Sequence, residues 1–126
     1  MTENEIAEIV FKCALKVHRS LGPGLLESTY EACLFYELKE WGLKVEKQKK
    51  LPVIYNDVEL EVGYVIDLMV EDKFIIELKA VKEITNVHLA QTLTYLRLSN
   101  CKLGFLMNFN VSLLKTGVKR VINGKL

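Results

Sequence analysis

From Ile6 onward, apolar residues recur three and four positions apart: Ile6, Ile9 or Val10, Cys13, Val17. That spacing predicts an amphipathic helix with one buried stripe. Thr2 and Glu5 stand ahead of it at capping-box spacing. The stretch "LGPGLLES" breaks the helix, because Gly22, Pro23 and Gly24 cannot continue it. A second helix is expected from about Leu25 to Trp41. Its stripe would be Leu26, Tyr30, Cys33 or Leu34, Leu38 and Trp41, and Gly42 is a natural stop.

Beyond Gly42 the period shortens. "LKVEKQKKLPVIY" reads as extended chain, and Asn56-Asp57 as a hairpin turn into "VELEVGYVIDLMV". A polar break, "EDK", leads to the strand "FIIELKAV". Helical spacing returns from about Asn86 to Ser99, with Thr85 or Asn86 as cap. "KLGFLMNF" is another strand, and "GVKRVI" a last short one. Two helices, about four strands, a helix and one or two strands predict an α/β (α+β) fold. Its mixed central sheet would be flanked by helices, in one domain over residues 1–126.

Composition narrows the function only a little. The formal net charge of +1 argues against a chain held to nucleic acid by bulk charge. Local basic groups remain: Lys44, Lys47, Lys49 and Lys50, and Lys115, Lys119, Arg120 and Lys125. They are either phosphate contacts or ordinary solubilising charge. Cys13, Cys33 and Cys101 lack C-x-x-C spacing, which favours core thiols in a reducing compartment over a metal knuckle. The N-terminus lacks the pattern of a signal peptide. No apolar run approaches the ~20 residues that span a bilayer. A cytoplasmic protein with no membrane partner is expected.

Candidate chemistry lies in "FIIELKAV". Glu77 and Lys79 interrupt an apolar strand, where charge is costly unless compensated. If the preceding turn centres on Asp72, Asp67 and Glu77 are register-matched across the hairpin, with Cβ atoms ~4.5–5.5 Å apart. Two such carboxylates repel one another, and a divalent cation would convert the repulsion into a binding site. Oxygen-only ligands favour Mg²⁺ or Mn²⁺. Lys79 shares the face of Glu77, while Ile76 and Leu78 point into the core. The plainer alternative is a half-exposed hairpin with a solvated Asp and a Glu–Lys pair.

Helix 86–99 adds a polar face of His88, Gln91 and Tyr95, opposite a stripe of Leu89, Leu93 and Leu96. His88 could bind phosphate, act as acid or base, or cap a hydrogen-bond network. Alternatively the whole face is simply solvated. Glu27 either stabilises the positive end of the second helix or supplies a third carboxylate to the Asp67–Glu77 site.

Together these residues resemble a known family. "GLLESTY", Gly24 to Tyr30, matches the Gly-x-x-Glu-x-x-Tyr signature of the GxxExxY proteins. "VHRSLGPGLLESTYEACL", "DLMVEDKFIIELKAV" and "HLAQTLTYLRLSNCKLGFLMNF" are similar to that family as well. The likeness runs from about Ile6 to Ile122. The family lies in the PD-(D/E)XK nuclease-like superfamily, so the resemblance implies a restriction-endonuclease-like core. It implies that Asp67 is the core Asp and that Glu77-Leu78-Lys79 is the Glu-x-Lys element. Glu27 would be the helix-borne acid, and Gln91 and Tyr95 the Gln-x-x-x-Tyr element. Ile66 stands where the superfamily's name has Pro.

The implied chemistry is metal-assisted hydrolysis of phosphodiester bonds in DNA or RNA. Asp67, Glu77, the Leu78 carbonyl and Glu27 would hold Mg²⁺ or Mn²⁺. Lys79 would position water, and His88, Gln91 and Tyr95 would meet the substrate. A rival expectation is a non-catalytic nucleic-acid- or protein-binding module on the same fold, and a third is a hydrolase of smaller phosphoesters. A homodimer or a protein partner would supply the extra surface that so small a module lacks.

Overall fold

The computed structural model describes residues 1–126. Its elements are α1 (Glu3–Leu21), α2 (Glu27–Glu40), β1 (Val45–Tyr55), β2 (Val58–Val70), β3 (Phe74–Lys79), α3 (Asn86–Ser99), β4 (Leu103–Asn108) and β5 (Val118–Ile122). A short 3₁₀ turn, Leu114–Gly117, precedes β5. Three strands, rather than about four, separate α2 from α3. The stretch "LKVEKQKKLPVIY" yields one strand, because β1 pairs with β2 from Val45 to Tyr55, with a register shift between Leu51 and Pro52.

The sheet order is β1-β2-β3-β4-β5. All neighbours are antiparallel except β3 and β4, which are parallel. Parallel neighbours need a crossover, and α3 supplies it. Helices therefore cover both faces. Phe74, Ile76 and Leu78 pack with Ile6, Val10, Tyr30 and Leu34 under α1 and α2. Ile75 packs with Ile66, Met69, Tyr95 and Leu96 under α3. Burial on both faces explains why β3 reads as a nearly continuous apolar run.

Thr2 and Glu5 form the expected capping box on α1. Asn56 and Asp57 both have positive φ, as a tight two-residue hairpin turn requires. The second helix differs at its ends. It starts at Glu27, and both Leu26 and Trp41 are exposed caps, so the buried stripe contracts to Tyr30, Leu34 and Leu38.

The turn before α2 is clasped by its own helix. Gly24 sits at φ +97°, a conformation open to glycine and strained for other residues. The Tyr30 hydroxyl donates to the Gly22 carbonyl at 2.6 Å and accepts the Leu25 N–H at 3.1 Å. Its ring stacks on Phe109 at 4.6 Å. The Gly24–Glu27–Tyr30 spacing is thus a loop-closing device that fixes where Glu27 begins the helix. Tyr30→Phe keeps the stack but strands two backbone groups. It should lower stability by about 1–3 kcal/mol, read as a shift in the denaturant midpoint with an unchanged slope.

Candidate active site

Strands β2 and β3 part company at Asp67 and Glu77. Their ladder runs Val70↔Phe74, Met69↔Ile75, Leu68↔Ile76 and stops there. Asp67 and Glu77 are the next residues in register, as the turn centred on Asp72 requires. They are not joined by backbone bonds. Instead each carboxylate takes a backbone N–H of the other strand. Glu77 Oε1 accepts from Asp67 N at 3.1 Å, and Asp67 Oδ2 accepts from Leu78 N at 2.8 Å. The two side chains replace the ladder where the strands fork.

This overturns the half-exposed hairpin. Glu77 is 5% exposed and Asp67 half-buried. Glu77 and Lys79 do not form an ion pair, and the Lys79 ammonium has no hydrogen-bond partner in the chain. Burial, and then the Asp67 charge, push the Glu77 carboxyl up to about 8. Asp67 is raised by burial, against the lowering pull of the Leu78 N–H and Gln48.

Helix α2 brings further carboxylates. Glu27 Oε1 accepts from Ala80 N at 3.2 Å, so α2 is tied to the end of β3. Glu31, one turn on, accepts from Gln48 Nε2 at 2.5 Å, and the same amide reaches Asp67 Oδ1 at 3.4 Å. Burial raises the Glu31 carboxyl. Glu27, Ser28, Glu31, Gln48, Asp67 and Leu78 line a cavity of about 270 Å³. Sequence reasoning missed Glu31 and Gln48. Glu31 was visible as the residue four after Glu27 on one helix. Gln48 was not, because it enters through a kink in β1, at φ +52°.

Helix α3 closes the other side of the fork, with a different division of faces from the one expected. Tyr95 is buried beside Leu96, and Thr92 lies with them. Leu89 and Leu93 are only half-buried at the rim. Tyr95 meets Tyr64 edge-on at 5.8 Å. Burial, then the Glu77 and Asp67 charges, push its hydroxyl up. Gln91 is exposed at the margin. His88 is half-buried and caps α3: its Nδ1 accepts the Thr85 N–H at 3.0 Å, and Thr85 Oγ1 accepts the His88 N–H at 3.3 Å.

The donor set suits a hard divalent cation. Asp67, Glu77, Glu27 and the Leu78 carbonyl offer only oxygen donors, and burial and neighbouring charge raise the Asp67, Glu77 and Glu31 carboxyls. No three His, Cys, Asp or Glu side chains converge tightly enough to cage an ion by themselves.

The raised Glu77 carboxyl has a consequence for stability. Between about pH 4.5 and about 8 the folded chain holds a proton there that the unfolded chain has released. Folding is then favoured at low pH, and this contribution is lost as pH rises through that window. The denaturant midpoint of the metal-free protein should fall between pH 6 and 8. Glu77→Gln should flatten the profile, and parallel profiles for the two proteins would contradict the assignment.

Comparison with known proteins agrees with the geometry. No curated protein and no solved structure matches the chain. The PD-(D/E)XK nuclease superfamily matches over residues 4–121, which takes in the clasped loop, the forked hairpin and α3. With that span matched, the chain belongs to the PD-(D/E)XK nuclease superfamily.

Proposed function

We propose that the chain hydrolyses phosphodiester bonds in nucleic acid, DNA before RNA, with Mg²⁺ or Mn²⁺ as cofactor. The observation that carries this reading is the fork, where the buried Glu77 and half-buried Asp67 carboxylates lie beside Lys79, whose ammonium has no partner. Asp67, Glu77 and the Leu78 carbonyl hold the cation, and Glu27 joins directly or through water. The cation supplies charge neutralisation at the phosphate and a more acidic water.

The chain's own residues do the rest. Lys79 orients the attacking water and offsets negative charge developing on the phosphate. Gln91 at the margin contacts the nucleic-acid backbone. Tyr95 forms the floor and holds the substrate-facing side of α3 against Glu77. His88 fixes the start of α3 and thereby the wall of the site. An uncompensated phosphate would be repelled by Glu27, Glu31 and Asp67, so substrate binding itself should require the cation. Of the basic residues, Lys44 is engaged by Asp72 at 2.7 Å and Lys49 by Glu46 at 3.4 Å. Lys47 lies over the Phe35 ring at 4.9 Å. Lys50, Lys115, Lys119 and Lys125 form no ion pair and remain for phosphate contacts, without a continuous basic surface over a long duplex. A weakly specific or structure-directed mode follows, with extra surface from a second copy or a protein partner. No helix is long and apolar enough to cross a membrane.

One observation favours the rival reading, a binding module without catalysis. Asp67 and Glu77 each already engage a backbone N–H, so they also serve the fold.

Two measurements separate the readings. Calorimetric titration should show weak Mg²⁺ or Mn²⁺ binding that Asp67→Ala abolishes, and identical titrations would refute the site. A cleavage screen over single-stranded, duplex, flapped and branched DNA, and RNA, should give product that EDTA stops. Lys79→Ala should slow it by about 10²-fold or more. Metal binding with no cleavage of any substrate would select the binding module.

A further inference from the structure

Strand β1 changes faces as it passes Asp67. A regular strand sends successive side chains to opposite faces, so residues an even number apart share one. Val45 and Leu51 are an even number apart. Yet Val45 packs in the core under α1 and α2, and Leu51 in the core under α3. Strand β2 does the same: Leu68 lies in the first core and Ile66 in the second. Glu46 and Lys49 are three apart and would sit on opposite faces of a regular strand, but they form an ion pair at 3.4 Å. Both strands therefore slip in phase by one residue within this stretch.

In β1 the slip falls at Gln48. Lys47 and Gln48 are consecutive, and both meet α2. The Lys47 ammonium lies over the Phe35 ring at 4.9 Å, and Gln48 Nε2 donates to Glu31 Oε1 at 2.5 Å. The register pairs Lys47 with Leu68 and Lys49 with Ile66, which sets Gln48 opposite Asp67. Asp67 joins Leu68 on the α2 side, where it lines one cavity with Glu27, Glu31 and Gln48. In an unslipped strand Asp67 would share the face of Met69, under α3. The slip brings the Asp67 carboxylate to the side from which α2 delivers its two acids.

The slip is also strained. Gln48 has φ +52°, in the left-handed region that disfavours every residue but glycine, with asparagine the best tolerated of the rest. Glycine would make the same turn without strain. What a long side chain adds is its amide, with two hydrogens to donate. One anchors on Glu31, and the other reaches Asp67 Oδ1 at 3.4 Å. A neutral NH₂ group between two carboxylates steers both and leaves their charge intact, whereas a lysine there would cancel it. Backbone strain of this kind clusters at functional sites, where the surrounding structure holds it in place.

We propose that Gln48 is a positioning residue of the cation site: its slip turns Asp67 toward α2, and its amide, braced by Glu31, fixes where the Asp67 carboxylate points. This role rests on the reading of Asp67 as a cation ligand. Gln48 does not itself touch the cation, and Glu31 acts through the amide.

Calorimetric titration of Mg²⁺ into the wild type and four variants tests it. Gln48→Asn tolerates the left-handed turn but is too short to span both carboxylates. It should keep the circular dichroism spectrum and denaturant midpoint of the wild type while losing about 10- to 100-fold in cation affinity. Gln48→Gly relieves the strain and should lose as much, and it carries the test if the Asn variant does not fold. Glu31→Ala should cost about tenfold, whereas Glu31→Gln keeps an acceptor for the amide and should stay within about threefold of the wild type. In ¹⁵N–¹H spectra of the metal-free protein, the Gln48 side-chain signals should move further in Glu31→Ala than in Glu31→Gln. Wild-type affinity in both Gln48 variants overturns the proposal and leaves the hydrolytic reading standing. So does a Glu31→Gln variant as damaged as Glu31→Ala, since Glu31 would then serve by its charge. Failure of both Gln48 variants to fold overturns it in favour of a purely structural residue. A wild type that binds no cation overturns the site and this role together.

Discussion

The site depends on an exchange of hydrogen bonds at the point where β2 leaves β3. A strand that departs from its neighbour strands N–H groups in a partly dry interior, at a cost comparable to lost hydrogen bonds. Here the Asp67 and Leu78 N–H groups are met by the Glu77 and Asp67 carboxylates. The fork is thereby made tolerable by the side chains that the opening exposes to a ligand. Structural and chemical roles fall on the same atoms. One oxygen of each carboxylate accepts a backbone N–H, and the second oxygen of Asp67 meets the Gln48 amide.

Everything around the fork can be understood as holding it open at one width. Tyr30 clasps the turn before α2, so that Glu27 meets the Ala80 N–H at the end of β3. Gln48 bridges Glu31 and Asp67 from the side of β1. On the opposite face the Thr85–His88 capping box starts α3, and Tyr95 packs beneath Glu77's strand among Ile75 and Leu96. Strand β3 stays paired with β4 as far as Lys79 after its ladder with β2 has ended. Carboxylates supplied by a helix and two strands are more rigidly placed than loop-borne ones would be.

Much of this was legible because it rests on local periodicity. The capping box of α1, the Asn56-Asp57 turn and the register of Asp67 with Glu77 all follow from counting along the chain. Belonging to the PD-(D/E)XK superfamily was legible from residues gathered from α2, β2, β3 and α3 together. What escaped depends on departures from periodicity or on tertiary packing. Gln48 reaches the site through a positive-φ kink that nothing in "VEKQKK" marks. Tyr95 looked like part of a polar helix face. Its phenol ring, amphipathic by nature, is instead drawn under the sheet with Leu96 while its hydroxyl stays near the carboxylates. Leu26 and Trp41 fit the helical stripe by spacing, yet they fall at the caps, where the chain has already left the sheet.

The electrostatics of the fork argue for what it binds. Burial raises Asp67, Glu31 and above all Glu77, each worsened by a neighbouring carboxylate. A purely structural site would gain by replacing one acid with an amide, which keeps an acceptor for the backbone N–H without the desolvation cost. Lys79 could relieve the repulsion by pairing with Glu77, yet its ammonium stays apart. An arrangement that withholds its own counter-ion from crowded acids leaves the neutralising charge to come from solution. In the proposed function a divalent cation would provide that charge, and its uncompensated surplus would then be available to a phosphate. The same step that stabilises the carboxylates would therefore turn an acidic cleft into one that can accept a nucleic-acid backbone.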